Sequence, residues 1–158
     1  MIVATFIYLL AIACWLGAIV FFSFFTTPIV FTRLPLPEAG KVINGIFPLY
    51  YKLGYVAGAI AVVLALYFAA YRSPRIYWAG AATTLAIALG LTVWAGAVVR
   101  PRIETVRRVT EEQNPDPARR AEFDSLHHQS VILNGAVLAL DLLALASTAA
   151  ALSHHGRG

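Results

Sequence analysis

The sequence predicts an all-α integral membrane protein: a bundle of four transmembrane helices, with an interfacial helix in the first loop and a helical hairpin extension in the third loop. Hydrophobic residues make up 59% of the 158 residues and charged residues only 13%, whereas about a quarter of a typical soluble domain is charged. The apolar residues fall into four runs, each near the roughly 20 residues that cross a bilayer. Because only short polar joints separate these runs, we expect one membrane domain over residues 1–158.

The first span is expected at about residues 2–25. Its apolar run follows Met1 directly, without the basic segment of a signal peptide, so we interpret it as a retained span. Thr26-Thr27-Pro28 should end or kink this helix, because proline clashes with the preceding turn. In the loop that follows, Pro37-Glu38 suits a helix start, and the interfacial helix is expected over residues 39–46.

The second and third spans are expected at about residues 53–71 and 76–99, and both have small residues at every fourth position. Such a spacing lets another helix approach closely. The second span has Gly54 and Gly58 in this pattern. The third span has Gly80, Thr84, Ala88, Thr92 and Gly96. Ser73-Pro74 should start the third helix, with serine as the N-cap and proline at the first helical position.

The third and fourth helices are expected to extend beyond the bilayer as a hairpin. Pro101 either kinks the third helix or begins a new one, and charged residues follow to about residue 113. Asn114-Pro115-Asp116-Pro117 predicts a turn that caps the last helix. This helix should run through Leu152, with its membrane part at about residues 131–152.

A row of polar side chains continues from the charged start of the last helix into its apolar part. His127, Ser130, Asn134 and Asp141 fall within about 60° of one another on a helix. Since polar groups are costly in lipid, this polar seam should face protein or water. No Lys or Arg lies inside any span, so Asp141 should be protonated or cation-bound part of the time. Its expected neighbours are Thr84, Thr92, Ser23 and Trp94.

Two interpretations of the polar seam stay open at this point. In the first, a proton or small cation moves between His127 at the membrane surface, whose imidazole can exchange protons near neutral pH, and Asp141 and Asn134 at membrane depth. In the second, the polar side chains only join helices through hydrogen bonds, which contribute about 0.6 kcal/mol each.

A metal site is a further hypothesis. Asp124, His127 and His128 have the spacing that places donors on one helical face, but a complete shell would also need Glu38 or Glu122. The alternative is a charged turn at the membrane entry. The histidine positions do not suit bis-histidine haem, and the sequence has neither a nucleophile–base arrangement nor a phosphate loop. We therefore expect no cofactor and no enzymatic activity.

The basic residues indicate orientation and partners. Nine of the twelve Lys and Arg lie in the first and third loops, which predicts that these loops are cytoplasmic. Their counter-charge should be anionic lipid rather than nucleic acid, since no basic stretch is free of membrane spans.

Three blocks of the sequence resemble a known family. The blocks are Trp15-x-Gly17 with Phe22, Pro28 and Phe31; Ala39-Gly40 through Phe47-Pro48-x-Tyr50; and Phe123-x-x-Leu126-His127-x-x-Ser130 with Asn134. Together they resemble the uncharacterised four-helix membrane proteins grouped with eukaryotic transmembrane protein 205. The resemblance implies a compact four-span bundle in the plasma membrane or bacterial inner membrane, and it implies no reaction, substrate or cofactor.

Two functions from different classes follow. The chain is an integral membrane protein that moves or senses a proton or small cation through its polar seam. Alternatively, it is a structural or accessory subunit that forms a homo-oligomer or joins a larger membrane complex through its small-residue faces.

Overall fold

The structure, a computed structural model, describes residues 1–112 and 117–155. Six α-helices occur in these ranges: α1 (Ile2–Val20), α2 (Thr27–Arg33), α3 (Leu36–Tyr71), α4 (Arg75–Trp94), α5 (Arg100–Glu112) and α6 (Pro117–His155). Two π-helical segments, Phe21–Thr26 and Ala95–Val99, join α1 to α2 and α4 to α5. The described ranges contain no strand, which confirms the all-α prediction.

Four continuous helical stretches are long and apolar enough to cross a membrane. They are Ile2–Arg33, Leu36–Tyr71, Arg75–Val106 and Pro117–His154. Large apolar side chains cover the outside of the bundle; Ile2 is 86% exposed, Phe21 66% and Val63 63%. A water-soluble monomer rarely shows contiguous apolar patches beyond a few hundred Å², so this surface faces lipid and the chain is an integral membrane protein.

Both π-helical segments come just before a proline. Thr27 donates its backbone N–H to Phe22 and Arg100 donates to Ala95, five residues back in each case. Pro28 and Pro101 follow one residue later, and each lacks the N–H that a regular turn requires. The local change of register lets the helix continue past the proline. The first helix was predicted to end or kink at Thr26-Thr27-Pro28. It does not end there, and a π segment lies just before the proline instead.

The first loop has no separate interfacial helix, which corrects that part of the prediction. The helix expected over residues 39–46 and the span expected over residues 53–71 are parts of α3, which is continuous through Pro48. A proline removes only one backbone donor from a helix. Aromatic rings pack beside this proline: Phe22 stacks on Tyr50 at 4.8 Å and lies 5.2 Å from Phe47.

The start of the third span also differs from the prediction. Pro74 occupies the N-cap of α4, after a cis Ser73-Pro74 bond, and the helix begins at Arg75 without a side-chain cap. Beyond the membrane, α5 packs against α6 as the predicted hairpin extension. The predicted turn around residues 114–116 lies outside the described residues.

The four spans form a closed ring of contacts, with α4 packed against α3 and α6, and α1 packed against α3 and α6. The close approach of α1 to α3 depends on two glycines of α3. A Cβ built on Gly54 would lie 3.2 Å from the Trp15 indole nitrogen, and one on Gly58 would lie 2.8 Å from the Trp15 ring. The small residues of α3 thus form the groove that receives the Trp15 side chain, which is 2% exposed.

The small-residue face of the third span also packs within the chain. A Cβ on Gly80 would lie 3.6 Å from the Ser147 hydroxyl of α6, and one on Gly96 would collide with Tyr51 and Tyr55 of α3. Ala88 is fully buried and Thr92 is 6% exposed. Thr84 is half-buried, and its hydroxyl donates to the backbone of its own helix.

Candidate functional site

The polar residues of α6 run from the protein surface into the centre of the bundle. His127 is exposed, Ser130 and Asn134 are half-buried, and Asp141 has no exposed surface. Thr148, seven residues further on, is 1% exposed. The predicted polar seam therefore deepens along the helix, and it extends beyond the residues that the sequence singled out.

Asn134 joins three helical segments. The hydroxyl of Tyr50 in α3 donates to the Asn134 side-chain oxygen. The Asn134 amide donates in turn to the hydroxyl of Ser23, at 2.7 Å. Ser23 belongs to the π segment of the first span, so the amide of Asn134 connects the first, second and fourth spans at one level.

A second polar level lies at Thr148. Its hydroxyl donates to the Ala144 carbonyl oxygen at 2.8 Å and lies 2.7 Å from the Tyr8 hydroxyl. Because the single proton of Thr148 is used on its own helix, the Tyr8 hydroxyl donates to Thr148. The Tyr8 ring packs edge-on against Phe68 and Trp78, with centroids 5.5 and 5.9 Å away.

Asp141 lies midway between these two levels, seven residues from each, or about 10 Å along the helix axis. The antiparallel pairing of α6 with the first span sets what stands opposite. One step of seven residues from Tyr8 leads to Trp15, and the same step back from Thr148 leads to Asp141. Trp15 and Asp141 are therefore level with each other in the bundle, and both side chains are buried.

Within the described part of the chain, neither carboxyl oxygen of Asp141 has a hydrogen-bond partner. The polar neighbours expected from the sequence are engaged elsewhere or face outward. Thr84 and Thr92 donate to their own helix, Ser23 accepts from Asn134, and Trp94 is 51% exposed. Within residues 1–112 and 117–155 no Lys or Arg forms an ion pair with this carboxyl group.

An ionised carboxylate in such surroundings would be strongly disfavoured. Burying a charge without a partner costs several kcal/mol even after the protein relaxes. A proton or a bound cation removes most of that cost, because the group is then neutral or paired. The arrangement can therefore hold a neutralising ligand at membrane depth.

A small cavity of about 10 Å³ lies next to the Asn134 level, about the room of one water molecule. It is lined by Tyr50, Tyr51, Thr92, Ala95, Ser130, Leu133, Asn134 and Val137. Val137 is one helical turn before Asp141, so the cavity approaches the carboxyl group from the Asn134 side. On the other side the large buried rings of Tyr8, Phe68 and Trp78 fill the bundle. A larger open groove between α1 and α3 is lined by apolar residues.

The predicted metal ligands lie on the outside of the fourth helix. Asp124, His127 and His128 are all exposed, and the described part of the chain groups no three His, Cys, Asp or Glu side chains that could hold a metal. The His127 ring stacks on Phe123, with centroids 6.2 Å apart. His127 is also fourteen residues from Asp141, about 21 Å along the helix. The structure thus supplies no direct contact between the two ends of the predicted path.

Sequence reasoning missed the partners on the other helices. Thr148 continues the seven-residue spacing of Asn134 and Asp141, and that spacing could have identified it. Tyr8 and Tyr50 have no comparable signal, because tyrosine near the end of a span is ordinarily an interfacial residue.

Residues 10–112 match the family described as Domain of unknown function (DUF4149). The chain belongs to this family. The match covers the first span from residue 10 onward and the second and third spans, and it ends before α6, so the polar residues of α6 lie outside it. The family description states no activity, and the match shows no link to transmembrane protein 205. No curated protein and no solved structure matches the chain.

Proposed function

We propose that this protein is a non-enzymatic integral membrane protein that binds a proton or a small cation at Asp141 and uses the binding for transport or sensing. One observation carries the proposal. Asp141 is completely buried at membrane depth, and both of its oxygens lack a hydrogen-bond partner. An ionisable group inside a span is costly and ordinarily marks a functional site. Replacing the carboxyl group by an apolar side chain would avoid that cost, which favours a role for the charge-bearing group.

The ligand that fits best is a proton. A cation such as Mg²⁺ or Ca²⁺ requires about six or more oxygen ligands, and in the described part of the chain Asp141 belongs to no group of three His, Cys, Asp or Glu side chains that could hold a metal. A proton needs no such shell, because it bonds covalently to one oxygen. A monovalent cation is the second choice and would need waters to complete its coordination.

The proton would reach Asp141 from the Asn134 side. The small cavity, the Ser130 hydroxyl and the amide of Asn134 lie on that side, whereas buried aromatic rings fill the other. The hydrogen bonds from Tyr50 to Asn134 and from Asn134 to Ser23 close the cavity toward the first span. We therefore assign Asn134 and Tyr50 the role of an entry gate. The hairpin end, where the entry lies, is the predicted cytoplasmic end.

The test is chemical modification of Asp141 with dicyclohexylcarbodiimide, which reacts with protonated carboxyl groups in apolar surroundings. Purified protein is treated over a range of pH and analysed by peptide mass spectrometry, with Asp141→Asn as the unreactive variant. The partly exposed Glu104, which pairs with Arg100 at 2.7 Å, is the internal control. We expect Asp141 to be modified, less so as pH rises, and Glu104 to stay unmodified.

Three outcomes separate the alternatives. Modification that decreases as the pH rises and does not change with added salt supports a proton as the ligand. Protection by Na⁺ or K⁺ at constant pH supports a cation. No modification at any pH contradicts the proposal. Proton flux into liposomes, compared between the parent protein and Asp141→Asn, then separates transport from sensing.

The accessory-subunit alternative has less support. It depends on free small-residue faces, but Gly54 and Gly58 pack on Trp15, and Gly96 packs on two tyrosines of the same chain. A partner would have to dock on another surface.

A further inference from the structure

Arg72 is held rigidly at the end of the bundle opposite the Asn134 cavity. Its guanidinium carbon lies 4.4 Å from the centre of the Phe68 ring and 5.7 Å from that of Trp78. One terminal nitrogen, Nη2, donates to the Thr5 hydroxyl at 2.9 Å. Both rings are almost completely buried, at 0% and 1% exposure. The arginine therefore has a fixed position at the junction of the first, second and third spans.

Among the described residues this guanidinium has no counter-ion, and not all of its N–H donors are used. Its Nε is buried without a partner, and Thr5 is its sole hydrogen-bond acceptor in the described part of the chain. No Asp or Glu occurs in residues 1–8, 68–80 or 148–155, which make up this end of the described bundle. The neighbouring Arg75 adds a second positive charge three residues away.

The surroundings select a ligand with phosphate chemistry. A guanidinium over an aromatic ring keeps its N–H groups clear of the ring, because they point outward in its own plane. Since Nε of Arg72 is buried, the terminal nitrogens Nη1 and Nη2 supply the donors for a ligand. These groups match the oxygens of a phosphate in a two-point contact. Arg72 directly follows the last helical residue of the second span, at the level where phospholipid head groups lie.

We propose that Arg72 is a phosphate-binding residue and that the phosphodiester of a membrane phospholipid occupies its free donors. The site lies at the opposite end from the Asn134 cavity, and it shares with the Asp141 proposal only the rings of Phe68 and Trp78, which neither experiment changes. Failure of either proposal leaves the other intact. The chemistry of a free phosphate is the same, so the experiment must distinguish the two sources.

The test is native mass spectrometry of the full-length protein in detergent, titrated with phosphatidylglycerol, phosphatidylcholine or inorganic phosphate. Arg72→Gln is compared with Arg75→Gln, which removes the same charge from an exposed arginine without an aromatic support. We expect phospholipid to bind about tenfold more weakly to Arg72→Gln, the effect of losing charge-assisted hydrogen bonds. Arg75→Gln should bind like the parent.

Competition identifies the source of the phosphate. Displacement of the phospholipid by millimolar inorganic phosphate indicates a free-phosphate site, and its absence indicates the lipid head group. The proposal is overturned if phospholipid binding is weakened equally in Arg72→Gln and Arg75→Gln, or if it is not weakened in Arg72→Gln. If Arg72→Gln does not fold, Arg72→Lys decides, because lysine keeps the charge but lacks the two-point contact. Arg72→Lys should bind phospholipid several-fold more weakly than the parent protein, and an unchanged affinity would refute a guanidinium site.

Discussion

Replacing Asp141 with leucine should make the protein more stable. The two side chains have the same branching and the same number of heavy atoms, so the substitution exchanges two oxygens for two methyl groups. In the parent, both oxygens are buried and neither has a hydrogen-bond partner. Leucine therefore removes an unsatisfied polar group and breaks no hydrogen bond that Asp141 makes.

The size of the gain follows from these contacts. Leaving a buried polar group unsatisfied costs about 1–3 kcal/mol. The slightly larger methyl groups offset part of the gain in stability, since overpacking a core costs about 1 kcal/mol or more. Ala144 and Val137, one turn away on either side, are small or medium-sized, which limits that strain. We expect a net increase of about 1–2 kcal/mol in the free energy of unfolding.

A matched control on the same face of α6 should change the free energy of unfolding in the opposite direction. Thr148→Val is also nearly isosteric and equally buried, but it removes the oxygen that accepts from the Tyr8 hydroxyl. We expect a loss of about 1 kcal/mol, within the range for hydrogen bonds between membrane helices. Both variants can be measured by reversible denaturation in detergent, at mildly acidic pH and without added salts of small cations. Destabilisation of Asp141→Leu by more than about 1 kcal/mol would refute this reasoning, because the removed desolvation cost should exceed the cost of overpacking.

Two further predictions concern helix packing. Gly58→Ala should destabilise the protein by about 1–3 kcal/mol, because its Cβ would meet the buried Trp15 ring at 2.8 Å. Gly90→Ala is the control and should be neutral or slightly stabilising, because a Cβ there has nothing within 4 Å. Thermal unfolding in detergent measures both variants, and equal effects would contradict the packing. Tyr50→Phe should cost about 0.6–1.7 kcal/mol by removing the bond to Asn134, and it should speed carbodiimide modification of Asp141 if that bond closes the entry. An unchanged modification rate would argue against the gate.

The main features of the fold follow from the sequence. Four apolar runs of sufficient length predict four spans, and all four occur. The breaks were harder to predict, because a proline inside a helix has several outcomes. Pro28 and Pro101 are accommodated by π segments, and Pro48 lies within a continuous helix. Which outcome occurs depends on the packing of neighbouring side chains, and no local pattern records that packing.

The candidate site was predicted only in part. Helical spacing indicated that Ser130, Asn134 and Asp141 share a face of the last helix, and the structure directs that face progressively inward. The expected hydrogen bonds from Thr92 to Asp141 do not form, because Thr92 donates to its own backbone. Threonine in a helix commonly does so, and the sequence alone cannot decide between the two acceptors.

By itself, the sequence determined the class of protein, the number of spans and the presence of a carboxyl group at membrane depth. These depend on composition and on distances along one chain, both of which can be read directly. Only the tertiary structure decided that the side-chain oxygen and nitrogen of Asn134 both have hydrogen-bond partners while the oxygens of Asp141 have none among the described residues, since hydrogen bonding depends on which helix lies opposite. The register between α6 and the first span places Tyr8 opposite Thr148 and Ser23 opposite Asn134. Trp15 is level with Asp141, but its indole nitrogen lies next to Gly54 of α3. That difference in opposing residues leaves both oxygens of one buried carboxyl group without a hydrogen-bond partner among the described residues.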